Sequence, residues 1–156
     1  MNRLLVAAAL VLASGPVLAA DPAEGASTRQ KGSGPSIPPP GSAERAAIMD
    51  GIRGGVVAEL GQLVIFKVDH LRVQEGWAFL KAYPRRPDGG EIDYRRTKYA
   101  EAVREGMFDG GVQALLRRNG TRWEVVDWVL GATDVPYGGW WKKYRAPKAI
   151  FDYTEP

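Results

Sequence analysis

Residues 112–130 read VQALLRRNGTRWEVVDWVL, two runs of apolar and β-branched residues on either side of Asn119-Gly120. Asparagine and glycine both tolerate the positive φ of a tight turn, and between two such runs they are a strong hairpin signal. We therefore predict strands over 112–118 and 121–130, joined by a two-residue turn at Asn119-Gly120. This hairpin makes an antiparallel sheet the expected framework of the fold.

The register that follows from this turn places Leu116 opposite Trp123 on one face of the hairpin and Arg117 opposite Arg122 on the other. Two arginines directly opposite each other repel, so such a pair suits a solvated edge or an anionic partner. We expect one of these two environments at the turn end of the hairpin.

A second pair of strands is predicted upstream of this hairpin. The stretch 63–73 is rich in β-branched residues, and the parity of its apolar positions changes near Asp69-His70, which indicates a β-bulge. After a turn at 74–76, aromatic residues alternate with other residues over 77–83. The two hairpins together predict four antiparallel strands.

A long helix is predicted before the first strand. Ser42 can cap its N-terminus and Gly61 can end it. Its apolar face consists of Ile48, Ile52, Val56 and Leu60, which recur every four residues. Three internal glycines, Gly51, Gly54 and Gly55, each lower helix stability by about 1 kcal/mol relative to alanine. We therefore expect the helix to be stabilised by close packing on the sheet.

A short helix is predicted between the two hairpins, capped by Asp93 or Thr97 and continuing to Glu105. The chain therefore runs helix, strand, strand, short helix, strand, strand. This order predicts an α+β fold in which the N-terminal helix packs on a curved, four-stranded antiparallel sheet.

The order of elements over 42–131 resembles the cystatin-like and NTF2-like plan, in which a curved sheet holds one helix. The segments 118–123 (RNGTRW) and 131–135 (GATDV) also resemble segments of small exported bacterial proteins of unknown function. This resemblance implies a fold and export, and it implies no activity. Protease inhibition of the cystatin type is not implied, since 73–76 (VQEG) departs from the glutamine–valine–glycine motif of that family's inserting loop.

The N-terminal region is predicted to be a leader followed by a linker. Residues 1–19 combine Arg3, an apolar run over 4–13 and a small residue at the expected cleavage site, which is typical of a signal peptide. The run is about half of the ~20 residues that span a bilayer, so we expect no transmembrane segment in the mature chain. The proline- and glycine-rich stretch 20–41 is predicted to be a disordered linker before a single domain at 42–156.

Composition excludes several classes of function. The 156 residues contain no cysteine and one histidine, so thiolate metal sites, disulfides, thiol nucleophiles and centres with two imidazoles are excluded. No cysteine is available for a lipid anchor, so we expect a periplasmic or secreted protein. The net charge of +3 is too small to indicate a nucleic-acid partner. We expect neither a metal nor a cofactor.

Acid–base chemistry is the catalytic possibility that remains, and its candidates are His70, Asp93 and Asp127. A histidine near neutral pKa can move a proton, and burial among aromatic residues can raise the pKa of a carboxyl group. The alternative is structural, because aspartates near the ends of elements commonly cap helices, form turns or face solvent. The structural interpretation is favoured.

The C-terminal segment interleaves aromatic and basic residues. The candidate ligand-binding residues are Tyr137, Trp140, Trp141, Lys142, Lys143 and Tyr144. Aromatic rings can stack on sugars and ammonium groups can neutralise anions, but the tryptophans can equally close the core of the domain. We predict an exported, non-catalytic binding module that recognises a cell-envelope polymer or a protein partner. A small enzyme with an acid or base in a sheet cavity, or an inhibitor or immunity protein, is the alternative.

Overall fold

The computed structural model describes residues 34–156. The predicted signal peptide, and the predicted linker as far as residue 33, lie outside the described residues. The described helices are α1 (Ala43–Leu60), α2 (Ala100–Arg104) and α3 (Trp140–Tyr144), with 3-10 turns at Tyr94–Arg96 and Lys148–Ile150. The described strands are β1 (Ile65–Gln74), β2 (Trp77–Arg85), β3 (Val112–Asn119) and β4 (Arg122–Leu130). Within residues 34–156, no helix combines the length and apolar character that crossing a membrane requires.

The four strands form one antiparallel sheet in the order β1-β2-β3-β4, so β1 and β4 are its edges. The N-terminal helix packs on this sheet, and α2 lies between the two hairpins in the sequence. The predicted α+β fold is therefore confirmed.

The limits and the apolar face of α1 are those predicted. The hydroxyl oxygen of Ser42 accepts a hydrogen bond from the backbone N–H of Arg45 at 3.3 Å. Gly61 ends the helix with φ +64°, and its N–H donates to the carbonyl of Val57. The buried residues of the helix include all four that the spacing predicts: Ile48, Ile52, Val56 and Leu60.

The three glycines of α1 differ in how closely the sheet approaches them. A Cβ on Gly51 would lie 2.6 Å from the carbonyl oxygen of Trp123, so this position admits no side chain without movement of β4. A Cβ on Gly55 would make ordinary contact with Trp128, and one on Gly54 would meet open space. Close approach to the sheet therefore explains Gly51 and leaves Gly54 without a packing reason.

The β3–β4 turn lies one residue later than predicted. Gly120 and Thr121 form it, and Asn119 pairs with Arg122, so the predicted pairing of Arg117 with Arg122 is wrong. The observed turn has glycine with φ +60° as its first residue, the arrangement of a type II′ hairpin. Arg117 instead lies opposite Glu124, a favourable pair of charges.

Two β-bulges determine which side chains reach the face of the sheet opposite α1. The register of β1 shifts between Val68 and His70, which confirms the predicted bulge. A second shift lies in the β3–β4 pairing, where Leu115 pairs with Asp127 and Leu116 with Val125. This shift leaves Val126 without a pairing partner, so Val125 and Trp128, three positions apart, both pack against the α1 core.

Two residues of the stretch that the sequence assigns to the linker, Ser36 and Pro38, contact the domain. Ser36 and Val73 exchange two backbone hydrogen bonds of 2.8 Å, which extends the pairing of edge strand β1. Pro38 is buried, and its carbonyl accepts a hydrogen bond from the Arg45 guanidinium at 3.1 Å. Proline has no backbone N–H to donate. A segment at the edge of a sheet is paired on one side only, so a proline-rich segment can lie there.

Candidate functional site

Residues 137–152 lie across the face of the sheet opposite α1, and we call them the C-terminal cover. They enclose Phe79 of β2 and Leu115 of β3, both of which are completely buried. The ring centroids of Tyr137 and Phe151 lie 4.7 and 4.6 Å from that of Phe79. The cover therefore completes a second apolar core, so the sheet is buried on both faces.

Two of the predicted ligand-binding residues belong to this core. Tyr137 and Trp140 are 3% and 6% exposed, and Trp140 meets Phe79 edge to face at 6.5 Å. Trp141 and Tyr144 are half-buried at the margin of the cluster, while Lys142 and Lys143 are exposed. The six candidates therefore divide into a buried pair and an accessible group of four.

Asp127, a catalytic candidate on β4, anchors the cover. Its Oδ2 accepts hydrogen bonds from the Tyr144 hydroxyl at 2.5 Å and from the Lys143 ammonium at 3.2 Å. Its Oδ1 accepts from the N–H of Trp128 at 2.9 Å. Partial burial raises the pKa of Asp127, but these hydrogen bonds outweigh burial and hold the pKa below its ordinary value. The group is therefore a carboxylate at neutral pH, with its oxygens engaged in structural bonds.

His70, the second candidate, anchors the cover from β1. Its Nε2 lies 2.8 Å from the carbonyl oxygen of Ile150. A carbonyl oxygen can only accept, so Nε2 carries the hydrogen of this bond and is not available as a base. The imidazole also packs against Phe79, with the ring centroids 5.6 Å apart.

A third anchor, which the sequence analysis did not identify, joins β2 to the end of the cover. The Lys81 ammonium lies 2.8 Å from Oδ2 of Asp152, and the Tyr137 hydroxyl hydrogen-bonds the same carboxylate. Burial lowers the pKa of Lys81, but the hydrogen bond to the Asp152 carboxylate and its negative charge have a larger effect, so the pKa of Lys81 is raised. Burial raises the pKa of Asp152, but Lys81 and Tyr137 outweigh it and lower the pKa overall. Alternation along 77–83 places Lys81 on the face of Phe79, but sequence holds no signal for a partner 71 residues away.

Asp93 lies apart from the cover, in the connection between β2 and α2. Its carboxylate accepts a hydrogen bond from the N–H of Arg95 at 3.2 Å and caps the Tyr94–Arg96 turn. The side-chain hydrogen bond from Arg95 lowers the pKa of Asp93. Gln62 bonds both the backbone N–H and the carbonyl of Asp93. This is the capping role that the structural interpretation predicts.

The structure does not bring the three acid–base candidates together. His70 and Asp127 lie on β1 and β4, the two edges of the sheet, so two strands separate them. At a strand spacing of about 4.8 Å this is a separation of about 14 Å between backbones. Asp93 lies outside the sheet. Concerted acid–base chemistry by any two of these residues has no geometric support.

Cations lie over the half-buried aromatic rings at the margin of the cover. The ammonium groups of Lys142 and Lys148 are 5.2 and 4.6 Å from the Trp141 ring centroid. Lys143 lies 4.7 Å from Tyr144, and Arg117 lies 4.6 Å from Trp77 of β2. We call this group the basic aromatic rim: Trp77, Arg117, Trp141, Lys142, Lys143, Tyr144 and Lys148.

Three cations of the basic aromatic rim make no salt bridge, although Glu124 lies opposite Arg117 on β4. Among residues 34–156, no Asp or Glu lies within 4.0 Å of Arg117, Lys142 or Lys148. Arg117 and Lys142 donate to backbone oxygens instead, at 3.0 and 2.5 Å. In the described part of the chain, none of the three charges is therefore paired with an acidic side chain within 4.0 Å.

Comparisons with protein-family models, with curated proteins and with solved structures gave no match to this chain. The likeness to the cystatin-like and NTF2-like plan therefore stays an expectation from the order of elements. The basis for a functional proposal is the geometry of the cover and of its rim.

Proposed function

We propose that the protein is an exported, non-catalytic binding module whose basic aromatic rim recognises an anionic polymer of the cell envelope. The observation that carries this proposal is the set of three cations, Arg117, Lys142 and Lys148, that lie over aromatic rings without an acidic side-chain partner. A cation over a ring is held in position, and all three of these residues are exposed, so an anion can reach them.

The chemistry of the rim fits a saccharide that carries phosphate or carboxylate groups. Guanidinium and ammonium groups bind these anions, and indole and phenol rings provide apolar surface for the C–H faces of sugars. Trp77, Trp141 and Tyr144 supply such rings next to the cations. Peptidoglycan and lipopolysaccharide are envelope polymers with this combination of groups. The exported location rests on the predicted signal peptide.

A binding role is also supported by the state of the acid–base candidates. His70 and Asp127 hold the cover in place, and Asp93 caps a 3-10 turn. Each of the three side chains therefore makes a structural bond within the domain. This leaves the rim as the better-supported functional surface.

The experiment is a pull-down on purified peptidoglycan and a parallel titration with lipopolysaccharide at low ionic strength. The triple variant Arg117→Ala, Lys142→Ala, Lys148→Ala removes the three cations of the rim that make no salt bridge. We expect roughly tenfold weaker retention, since each exposed ion pair contributes a few tenths of a kcal/mol to about 1 kcal/mol. Retention should also fall with added salt, because screening weakens exposed ion pairs.

The matched control is Lys67→Ala, Arg96→Ala, Arg104→Ala, which removes the same charge from exposed positions outside the rim. This control should retain the affinity of the unaltered protein. If both triple variants lose the same amount of retention, net charge alone explains binding, and the rim has no specific role. Absence of binding to both polymers by the unaltered protein would overturn the proposal itself.

A further inference from the structure

Residues 153–156 follow the C-terminal cover and lie beside the basic aromatic rim, and we call them the tail. The cover ends at Asp152, whose carboxylate is held by the Lys81 ammonium at 2.8 Å. Beyond this anchor, the backbone N–H of Glu155 donates to the carbonyl of Gly138 at 3.0 Å, directly before α3. The tail therefore returns from the end of the cover to its beginning.

The side chain of Glu155 lies against two glycines. A Cβ on Gly138 would lie 2.9 Å from Cγ of Glu155, and a Cβ on Gly139 would lie 3.6 Å from its Oε2. The absence of side chains at these two positions leaves the space that Glu155 occupies. Among residues 34–156, the Glu155 carboxylate makes no salt bridge. The tail therefore brings an unpaired negative charge next to α3.

Pro156 of the tail contacts a cation of the rim. The Lys142 ammonium donates a hydrogen bond of 2.5 Å to the carbonyl oxygen of Pro156. The same ammonium lies 5.2 Å from the centroid of the Trp141 ring. A carbonyl oxygen and an anion both accept hydrogen bonds, so they can use the same N–H donor of an ammonium group. An anion at Lys142 therefore meets a donor already in use and the charge of Glu155 nearby.

The tail can leave the rim without disturbing the core beneath the cover. Tyr153, Glu155 and Pro156 are exposed, whereas Phe151 is buried before the Asp152 anchor. In the described part of the chain, no hydrogen bond holds residues 153–156 besides the two at Gly138 and Lys142. Segments with few buried contacts and exposed hydrogen bonds detach at a small free-energy cost.

We propose that the tail is an autoinhibitory segment that competes with an anionic ligand for Lys142. This inference rests on the proposed function, because the ligand is that of the rim. The docked tail occupies a donor of Lys142 through Pro156 and repels an anion through Glu155. Linkage is reciprocal, so the tail weakens binding of the anion by the factor by which the anion weakens docking of the tail.

The first test measures the affinity of the rim for inorganic tripolyphosphate by ¹⁵N–¹H NMR, from the amides of residues 141–144. Glu155→Pro removes the carboxylate and also the N–H that bonds Gly138, since proline has no N–H. This variant should bind tripolyphosphate about two- to fivefold more tightly, the effect of one exposed charge pair. Glu155→Gln keeps the N–H and should give part of this gain. Glu105→Gln, the matched control, removes the same charge from an exposed position outside the rim and should give none.

The second test uses the unaltered protein and follows release of the tail. The amide of Glu155 should exchange its hydrogen faster at saturating tripolyphosphate than without it, because the anion displaces the tail. The amide of Gly61, which is bonded to Val57 at the end of α1, should not change. Unchanged exchange at Glu155 would overturn the competition.

A third measurement tests the contact without any anion. Acetylation by an N-hydroxysuccinimide ester should modify Lys142 several-fold faster in Glu155→Pro than in the unaltered protein, and Lys148 at the same rate in both. Equal rates at Lys142 would overturn the contact. Equal affinities of the unaltered protein and Glu155→Pro, or an equal gain in Glu105→Gln, would overturn the role of the tail and leave that of the rim intact.

The same measurements separate this proposal from the one on which it rests. If tripolyphosphate binds to neither protein, the proposed function fails and the competition fails with it, even where acetylation of Lys142 shows the contact. Thermal unfolding checks the fold of each variant. If Glu155→Pro lowers the Tm, the affinity of Glu155→Gln decides, and no gain in that variant would overturn the proposal.

Discussion

The hydroxyl of Tyr144 lies 2.5 Å from Oδ2 of Asp127, and this hydrogen bond joins α3 of the C-terminal cover to edge strand β4. From sequence, Tyr144 is a candidate for ligand binding and Asp127 a candidate for catalysis. The structure makes them partners in one packing interface. The bond between His70 and the carbonyl of Ile150 repeats this pattern at the opposite edge of the sheet.

The first prediction concerns the coupling between Tyr144 and Asp127. Tyr144→Phe removes the hydroxyl donor and should lower the free energy of unfolding by about 1 kcal/mol, a usual value for one hydrogen bond. In a double-mutant cycle with Asp127→Asn, the coupling energy should be at least about 0.5 kcal/mol. Urea denaturation measures both quantities. Tyr153→Phe is the control, since the Tyr153 side chain is half exposed and its loss of a hydroxyl should have little effect. Purely additive effects at Tyr144 and Asp127 would contradict the proposed anchor.

The second prediction is a loss of stability in acid that depends on two carboxylates. The pKa values of Asp127 and Asp152 are lowered in the folded protein, so both groups bind protons less readily there than in the unfolded chain. Their contribution is fully present above the unfolded pKa of about 3.9 and is lost as the pH falls through the lower folded pKa. The Tm of the unaltered protein should therefore decrease below about pH 4.

Thermal unfolding from pH 7 to pH 2 provides the measurement. The variant Asp127→Asn, Asp152→Asn should have a lower Tm at pH 7 and a shallower decrease in acid, because its two anchors no longer titrate. Glu105→Gln, at an exposed position beyond α2, should follow the unaltered protein. A double variant with the full acid decrease would show that other carboxylates control the transition.

Much of the fold was predictable because its signals are local. The Ser42 cap, the Gly61 stop and the bulge at Asp69-His70 each depend on a few consecutive residues, and each is confirmed. The position of the β3–β4 turn was predicted one residue too early. Asn-Gly and Gly-Thr are both acceptable turn pairs, and the choice between them depends on the register of β3 against β4 over its whole length.

The role of the C-terminal segment was not predictable in the same way. Trp140 and Trp141 are adjacent and chemically identical, but successive residues on a helix point about 100° apart. Which ring is buried depends on how α3 docks on Phe79, a contact between residues 61 positions apart in the sequence. The anchors at His70 and Lys81 depend on partners 80 and 71 residues away, so no local pattern indicates them.

The third prediction separates two glycines of α1. Gly54→Ala should raise the free energy of unfolding by up to about 1 kcal/mol, because alanine is the better helix former and the site is open. Gly51→Ala should lower it despite the same gain in helix propensity, because its Cβ would lie 2.6 Å from the Trp123 carbonyl oxygen. Urea denaturation of the two variants measures the difference. Stabilisation by both substitutions would mean that α1 does not approach β4 as closely as described.

The fourth prediction separates the two tryptophans of the cover. Trp140 is 6% exposed against Phe79, so Trp140→Ala should lower the free energy of unfolding by about 3–5 kcal/mol, as large-to-small substitutions in cores do. The half-buried Trp141 ring has Lys142 and Lys148 over it. Trp141→Ala should therefore lower stability less and weaken retention on the anionic polymer more.

Thermal unfolding and the polymer pull-down, performed on both variants, distinguish packing from recognition. Trp140→Phe should recover part of the stability lost in Trp140→Ala, because a smaller ring can still contact Phe79. Trp141→Phe should recover part of the binding lost in Trp141→Ala, because a phenyl ring can still hold a cation over its face. If the two alanine variants lose stability equally and retain the polymer equally, Trp141 is a packing residue like Trp140. Binding of the polymer would then depend on the rim lysines and not on the Trp141 ring.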